Sequence, residues 1–96
     1  MGRPADLPVE RQRLDRWLFF ARLAKSRSLA AKWIVDGHVR VNSRRVVQAA
    51  KPVQPGDVVT LALECEVRVL RIVATGLRRG PAREAARLFD DIDAAG

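Results

Sequence analysis

The chain has 96 residues, a formal net charge of +7 at pH 7, and a composition that is 48% hydrophobic and 30% charged. This length excludes an assembly of several large domains, and the composition is that of one folded domain rather than of a disordered chain. The excess of positive charge favours an anionic partner, either a nucleic acid or a membrane surface.

The N-terminal residues do not have the pattern of a targeting segment. Arg11, Arg13 and Asp15 interrupt any apolar run that a signal peptide would need, and Asp6 stands where a myristoylation motif requires Ser or Thr. No stretch approaches the ~20 apolar residues of a membrane span. The single cysteine, Cys65, allows no internal disulfide. We therefore expect a cytoplasmic protein without a membrane partner.

Residues 1–10 contain glycine and proline without periodicity, which predicts a flexible N-terminal arm. A helix is predicted over residues 14–23, because apolar residues recur there at the spacing of one helical face, at Leu14, Trp17, Leu18 and Ala21. Asp15 suits the positive end of the helix dipole. It is expected to cap the helix or to pair with an arginine such as Arg27.

A second helix is predicted over residues 27–36. Ser26 has the side chain of a good N-cap, and Gly37 stands where a left-handed C-terminal cap belongs. The apolar face of this helix consists of Leu29, Ala30, Trp33 and Ile34. Only a few residues join the two helices, so we expect them to pack as a tight pair.

After Gly37 the apolar period changes to two, which indicates strands. Val39 to Val41 predicts a strand, Asn42-Ser43 a turn, and Arg44 to Val47 the return strand. Pro55-Gly56-Asp57 is a strong turn signal. Two further strands are predicted, at Val59 to Leu63 and at Val67 to Ala74.

Gly80-Pro81 predicts the start of a third helix, because proline fits the first helical position. Its apolar stripe would consist of Ala85, Leu88, Phe89 and Ile92. The tail from Asp90 onward is acidic and is expected to fray. The predicted fold class is therefore α+β, with two packed helices, a small antiparallel sheet of about four strands, and a C-terminal helix.

The positive charge is concentrated in one segment. Residues 11–51 hold eleven Lys or Arg against two acidic residues, a local balance of +9, so the rest of the chain sums to −2. A solvated cationic face would be the plainest explanation, but the sparse acids cannot neutralise this one by pairing. Most of the cations are arginines, whose planar fork suits phosphate. The candidate residues for binding RNA or DNA are Arg13, Arg16, Lys25, Ser26, Arg27, Lys32, His38, Arg40, Asn42, Arg44 and Arg45.

The residues that catalysis would need are almost absent. With one histidine, His38, and one cysteine, Cys65, the usual soft ligands cannot form a zinc cluster. Ser26 and Ser28 flank a helix start, where capping is their expected role. No glycine-rich phosphate loop occurs. We expect no enzymatic activity, no metal and no cofactor.

Several segments together resemble the αL RNA-binding motif, the domain named after small-subunit ribosomal protein four. They are Arg13-Leu14-Asp15, Ser26-Arg27, Ile34 to Gly37, Val39-Arg40-Val41-Asn42 and Gly56-Asp57. This resemblance implies an αL-type RNA-binding domain over residues 11–76, between the arm at 1–10 and a C-terminal helix and acidic tail at 77–96.

Two stretches, from Arg13 to Leu18 and from Arg78 to Ala86, are similar to the ribosome-associated heat shock protein 15 family. That resemblance implies a non-catalytic binder of ribosomal RNA on the large ribosomal subunit, and we expect the protein to be a monomer. It would act in recycling or rescue of dissociated subunits that carry a stalled peptidyl-tRNA. The residues best placed for contacts with ribosomal RNA would be Arg13, Lys25, Arg27, Lys32, Arg40 and Arg44.

The sequence departs from the family pattern at two points. The hairpin commonly reads Asn-Gly, and Ser43 is disfavoured at the positive φ of that turn, which suggests another turn type. Some family members carry a basic C-terminal extension, whereas this chain ends in an acidic segment.

Three other functions are compatible with the sequence. The domain also resembles the RNA-targeting module of RNA-modifying enzymes, which would require a separate catalytic chain. Two helices joined by a short turn resemble a helix-turn-helix DNA-binding protein, although few polar base-reading side chains are present. A related role in ribosome-associated quality control is the third.

Overall fold

Two helices lie against one face of an antiparallel sheet in residues 10–92, the part of the chain that the computed structural model describes. The elements are β1 (Gln12–Arg13), α1 (Leu14–Phe20), α2 (Arg27–Val35), β2 (Val39–Val41), β3 (Arg44–Arg45), β4 (Pro52–Val53), β5 (Val58–Ala62), β6 (Val67–Ile72), α3 (Ala82–Ala85), a 3₁₀ turn (Ala86–Leu88) and β7 (Phe89–Asp91). The predicted α+β class is confirmed.

Helix α1 buries Leu14, Trp17 and Leu18 completely, as its apolar spacing predicts. It ends at Phe20, three residues earlier than predicted, because Arg22 takes a left-handed conformation with φ of 61°. The Leu23 N–H donates to the Leu18 carbonyl at 3.0 Å, and the Arg22 N–H donates to the Phe19 carbonyl at 3.1 Å. These two bonds form a Schellman motif in which arginine occupies the position that glycine usually takes.

Helix α2 follows its prediction to within one residue. The Ser26 hydroxyl accepts the Leu29 N–H at 3.0 Å and therefore caps the helix. At the other end Gly37 has φ of 87°, and its N–H donates to the Ile34 carbonyl at 3.0 Å. Both predicted caps are confirmed.

The main sheet has five antiparallel strands in the order β3-β2-β5-β6-β7. Val39 and Val41 of β2 are buried while Arg40 between them is exposed, so one face packs on the helices. The register sets Val39 opposite Leu61, and Val59 opposite Leu70. Strands β1 and β4 form a separate two-stranded pair that the sequence did not predict.

The C-terminal helix is shorter than its apolar stripe predicts. Helix α3 has one turn, and after the 3₁₀ turn the chain becomes extended and pairs with β6 through β7. The helical prediction was therefore wrong for Phe89, whose ring packs edge-on against Trp17 with centroids 6.3 Å apart. Asp90 lies opposite Arg71, and Asp91 forms an ion pair with Arg68 at 3.1 Å, so neither is frayed. Pairing with β6 and packing on Trp17 override the local helical pattern.

The segment that follows β6 is held by the start of the chain. The Trp17 indole N–H donates to the Ala74 carbonyl at 3.0 Å, and the Gln12 side chain bonds both the N–H and the carbonyl of Gly76. Glu10 Oε1 accepts the Thr75 hydroxyl at 2.7 Å and the Thr75 N–H at 2.8 Å. These two bonds, the hydroxyl first, lower the pKa of Glu10 although slight burial opposes them. The arm predicted over residues 1–10 otherwise lies outside the described residues.

Candidate nucleic-acid interface

The N-terminal end of α1 positions the first candidate arginines. Arg13 donates to both carboxylate oxygens of Asp15, at 3.1 and 3.0 Å. These hydrogen bonds raise the pKa of Arg13 above its ordinary value, and the negative charge of Asp15 raises that pKa further. The Asp15 carboxylate also accepts the Arg16 N–H at 2.7 Å. Asp15 therefore pairs with an arginine, as expected, but the partner is Arg13 and not Arg27. Asp15 is buried and holds an exposed guanidinium at the helix start.

The turn between the helices presents Lys25 and Arg27 to solvent on either side of Ser26. Neither cation has an acidic partner in the described part of the chain. Because the N-terminus of α2 carries partial positive charge and unbonded N–H groups, it adds to the attraction for an anion. The turn therefore offers two free cations beside a helix N-terminus.

The hairpin of β2 and β3 brings like charges together. Arg40 lies directly opposite Arg45, an arrangement that costs stability in a sheet unless a counter-charge is present. The side chain of Arg45 extends over Gly37. A Cβ atom added to Gly37 would lie 3.5 Å from the Cδ of Arg45. Arg44, opposite Val41, is also exposed. An anionic ligand would relieve the repulsion between Arg40 and Arg45.

The turn at the hairpin tip has positive φ at both central residues, 52° at Asn42 and 73° at Ser43. This is the requirement of a type I′ turn, so the expectation of a different turn type at Ser43 was wrong. The Asn42 amide donates to Asp57 at 3.2 Å, and its oxygen accepts the Val58 N–H at 2.9 Å. These bonds hold the tip against the start of β5, and they occupy the side chain of Asn42 within the protein.

An open groove of about 700 Å³ runs beside this hairpin. Its charged lining consists of Arg11, Arg44, Arg45, Lys51 and Asp57. The one carboxylate among them, that of Asp57, already accepts hydrogen bonds from Asn42 and from the Gln54 N–H. The groove therefore has a clear excess of positive charge and polar amides at Gln48 and Gln54.

Two groove residues, Arg11 and Lys51, were absent from the sequence-based set. They come together because β1 pairs with β4, with Gln12 opposite Val53, and because the Leu14 N–H donates to the Lys51 carbonyl at 2.9 Å. Both residues lie within the segment 11–51 whose charge marked the site. The positive charge of this segment was the only indication that these two residues belong to the site. The pairing of β1 with β4 could not be predicted, because two-residue strands are too short to show a periodic pattern in the sequence.

The structure places Lys32 and His38 apart from the groove. They line a second depression with Trp33, Glu64 and Glu66, and there Lys32 forms an ion pair with Asp36 at 2.9 Å. This depression carries carboxylates as well as cations. The remaining candidates, in contrast, lie at the start of α1, in the inter-helix turn and on the hairpin.

The described residues contain no cluster of three His, Cys, Asp or Glu that could hold a metal ion. Cys65 is exposed and free. Between residues 10 and 92 no helix has the length and hydropathy needed to cross a membrane.

Comparisons with known proteins agree with this arrangement. The model of the S4 domain matches residues 12–59, which contain both helices, the hairpin and most of the groove. The chain is 36% identical to heat shock protein 15 of Escherichia coli strain K12 over 84 residues, 88% of this chain and 62% of that protein. It thus spans about three fifths of that relative's length.

Two further relatives extend the similarity. The heat shock protein 15 homolog of Aeromonas salmonicida is 32% identical over 95 residues, 99% of this chain and 70% of that protein. The solved trimeric structure of Vibrio cholerae heat shock protein 15 superposes with a TM-score of 0.81 at 33% identity, covering 88% of this chain and 85% of that one. The chain therefore belongs to the heat shock protein 15 family of S4-domain proteins.

Proposed function

We propose that this protein is a non-catalytic RNA-binding protein that recognises folded ribosomal RNA through phosphates and 2′-hydroxyls. The observation that carries the proposal is the hairpin, where Arg40 opposes Arg45 beside a groove that Arg11 and Lys51 also line. Uncompensated arginines around a concave surface fit a phosphate backbone better than they fit base edges. Membership of the S4-domain family supports the same ligand.

We further propose that the RNA belongs to the large ribosomal subunit, and that the protein acts in the cytoplasm on dissociated subunits that carry a stalled peptidyl-tRNA. The sequence resemblance to the heat shock protein 15 family supports this role. We expect the monomer to bind, whereas the Vibrio cholerae relative has a trimeric structure. Sedimentation of the free protein and of the bound complex distinguishes these two states.

The double variant Arg27→Ala/Arg40→Ala tests the site. Both side chains are exposed and have no hydrogen-bond partner among the described residues, so their loss should leave folding intact. Each replacement should weaken binding to large subunits by about 1–2 kcal/mol. The measurement is co-sedimentation with purified large subunits. Arg71→Ala is the control, because Arg71 lies two strands from Arg40 in the sheet and directly opposite Asp90.

Salt dependence tests the mode of recognition independently. If roughly five to eight phosphates are bound, the logarithm of affinity should fall against the logarithm of salt concentration with a slope of roughly −4 to −7. A flat response for the wild-type protein, or equal binding to duplex DNA in competition, would contradict the proposal. Unchanged co-sedimentation of the double variant would contradict only the site.

A further inference from the structure

A second group of arginines lies where the C-terminal end of α1 meets residues 79–87, and none of its members belongs to the candidate set named above. It consists of Arg22, Arg79, Arg83 and Arg87, which we call the C-terminal arginine cluster. Arg78 lies in the same segment, but its guanidinium is bound to Glu84 at 2.9 and 3.1 Å. Since Glu84 is the only acid between residues 77 and 88, the cluster has no carboxylate of its own there.

Two members of the cluster are held in fixed orientations by backbone carbonyls. Arg22 Nε donates to the Gly80 carbonyl at 2.7 Å, and Arg79 Nε donates to the Phe19 carbonyl at 3.3 Å. The Arg79 guanidinium also lies 4.8 Å from the centroid of the Phe19 ring. In residues 10–92 the terminal nitrogens of both arginines have no acceptor. A guanidinium that is already held in one orientation loses little conformational entropy when it binds an oxyanion.

The other two members are fully available. Arg83 and Arg87 are exposed, four residues apart, and unpaired within the described chain. Arg83 lies in α3 and Arg87 in the 3₁₀ turn that follows it, and no carboxylate among the described residues neutralises either charge. A bound anion would supply the missing counter-charge.

We propose that the C-terminal arginine cluster is a second phosphate-binding site, occupied by the same RNA that binds at the hairpin and the groove. Arg22 opens the turn that also carries Lys25 and Arg27, so the two basic surfaces are continuous along the chain. Helix α1 has seven residues and is about 10 Å long, with the groove beside its first residue and the cluster at its last turn. The inference rests on the proposed function and extends the RNA footprint to both ends of α1.

A purely structural role is the competing explanation for two of these arginines. Arg22 and Arg79 bond carbonyls near the negative end of α1, where a cation is stabilising without any ligand. Arg83 and Arg87 have no such role, so they provide the cleaner test. The double variant Arg83→Gln/Arg87→Gln removes two charges and no hydrogen bond that the structure records.

The experiment is a salt titration of binding to purified large-subunit ribosomal RNA. We expect the double variant to bind roughly tenfold more weakly at about 0.1 M salt, with a log–log slope reduced by about 1.4–1.8. Arg71→Gln removes an exposed arginine that lies opposite Asp90 and lines neither the groove nor the cluster, so its affinity should stay within about twofold of wild type. The charge-conserving variant Arg83→Lys/Arg87→Lys should retain the wild-type slope, which excludes a folding defect as the cause.

The outcomes separate this inference from the function on which it rests. A double variant whose affinity and slope equal those of Arg71→Gln overturns the second site, even if Arg27→Ala/Arg40→Ala weakens binding as expected. A wild-type protein that shows no salt-dependent binding overturns both. Loss of binding in the lysine variant as well as the glutamine variant would also overturn the phosphate assignment.

Discussion

At the scale of single residues, the arginines of this protein fall into two groups that the sequence cannot distinguish. Arg13, Arg68 and Arg78 are bound to carboxylates, whereas Arg27 and Arg40 have none among the described residues. The Arg13 pair differs from the others because its acid, Asp15, is only 5% exposed. Which arginine is free for RNA therefore depends on where the few acids lie in space.

The buried carboxylate of Asp15 leads to a prediction about stability. Asp15→Asn removes the charge that Arg13 and the α1 N-terminus both favour, so the free energy of unfolding should fall by about 1–2 kcal/mol. Urea denaturation measures the change. The matched control is Asp36→Asn, which disrupts an exposed pair with Lys32 and should cost at most about 0.5 kcal/mol. Equal effects of the two variants would contradict the role assigned to Asp15.

At the scale of elements, the sequence predicts the helices and strands that depend on interactions between residues close together in the chain. The apolar stripes and Ser26 define both helices, and the alternation of Val39 and Val41 defines β2. The pairing of β1 with β4 joins residues about 40 positions apart and has no local signature, so the groove was only partly predicted. The apolar spacing at Phe89 suits a helix, but strand pairing with β6 prevails.

Glycine substitutions at two serines, Ser43 in the hairpin turn and Ser28 in α2, are predicted to change the free energy of unfolding in opposite directions. Ser43 has φ of 73°, where a side chain is strained, so Ser43→Gly should raise the free energy of unfolding by about 0.5–1 kcal/mol. Ser28→Gly, in the exposed first turn of α2, should lower it by about 0.5–1 kcal/mol because glycine disfavours helix. Denaturant titration of both variants measures this. A loss of stability at both positions would show that the turn is not strained.

At the scale of the whole molecule, the C-terminal segment belongs to the same core as the helices. Ala85 is buried, and the Leu88 carbonyl accepts the N–H groups of Val73 and Ala74 at 2.8 and 3.2 Å. Phe89 packs on Trp17, and β7 completes the edge of the main sheet. The match to the S4 domain ends at residue 59, so the fold depends on residues well beyond it.

This dependence predicts a large effect of Phe89→Ala. Removing a half-buried ring that contacts Trp17 should lower the free energy of unfolding by about 2 kcal/mol and the Tm by about 8–15 °C. Leu77→Ala is the control, because Leu77 is 99% exposed and its loss should leave the Tm within about 2 °C of wild type. Thermal unfolding followed by circular dichroism measures both. A Phe89→Ala protein with the wild-type Tm would show that the C-terminal segment is dispensable for stability.

The different environments of the two tryptophans give the protein an internal optical probe. Trp17 is fully buried with its indole N–H bonded to Ala74, whereas Trp33 is half-buried on the wall of the second depression. Acrylamide in solution should therefore quench Trp33 and spare Trp17 until the core opens. Emission from Trp17 then reports unfolding, and emission from Trp33 reports events at the surface, in a single unlabelled sample.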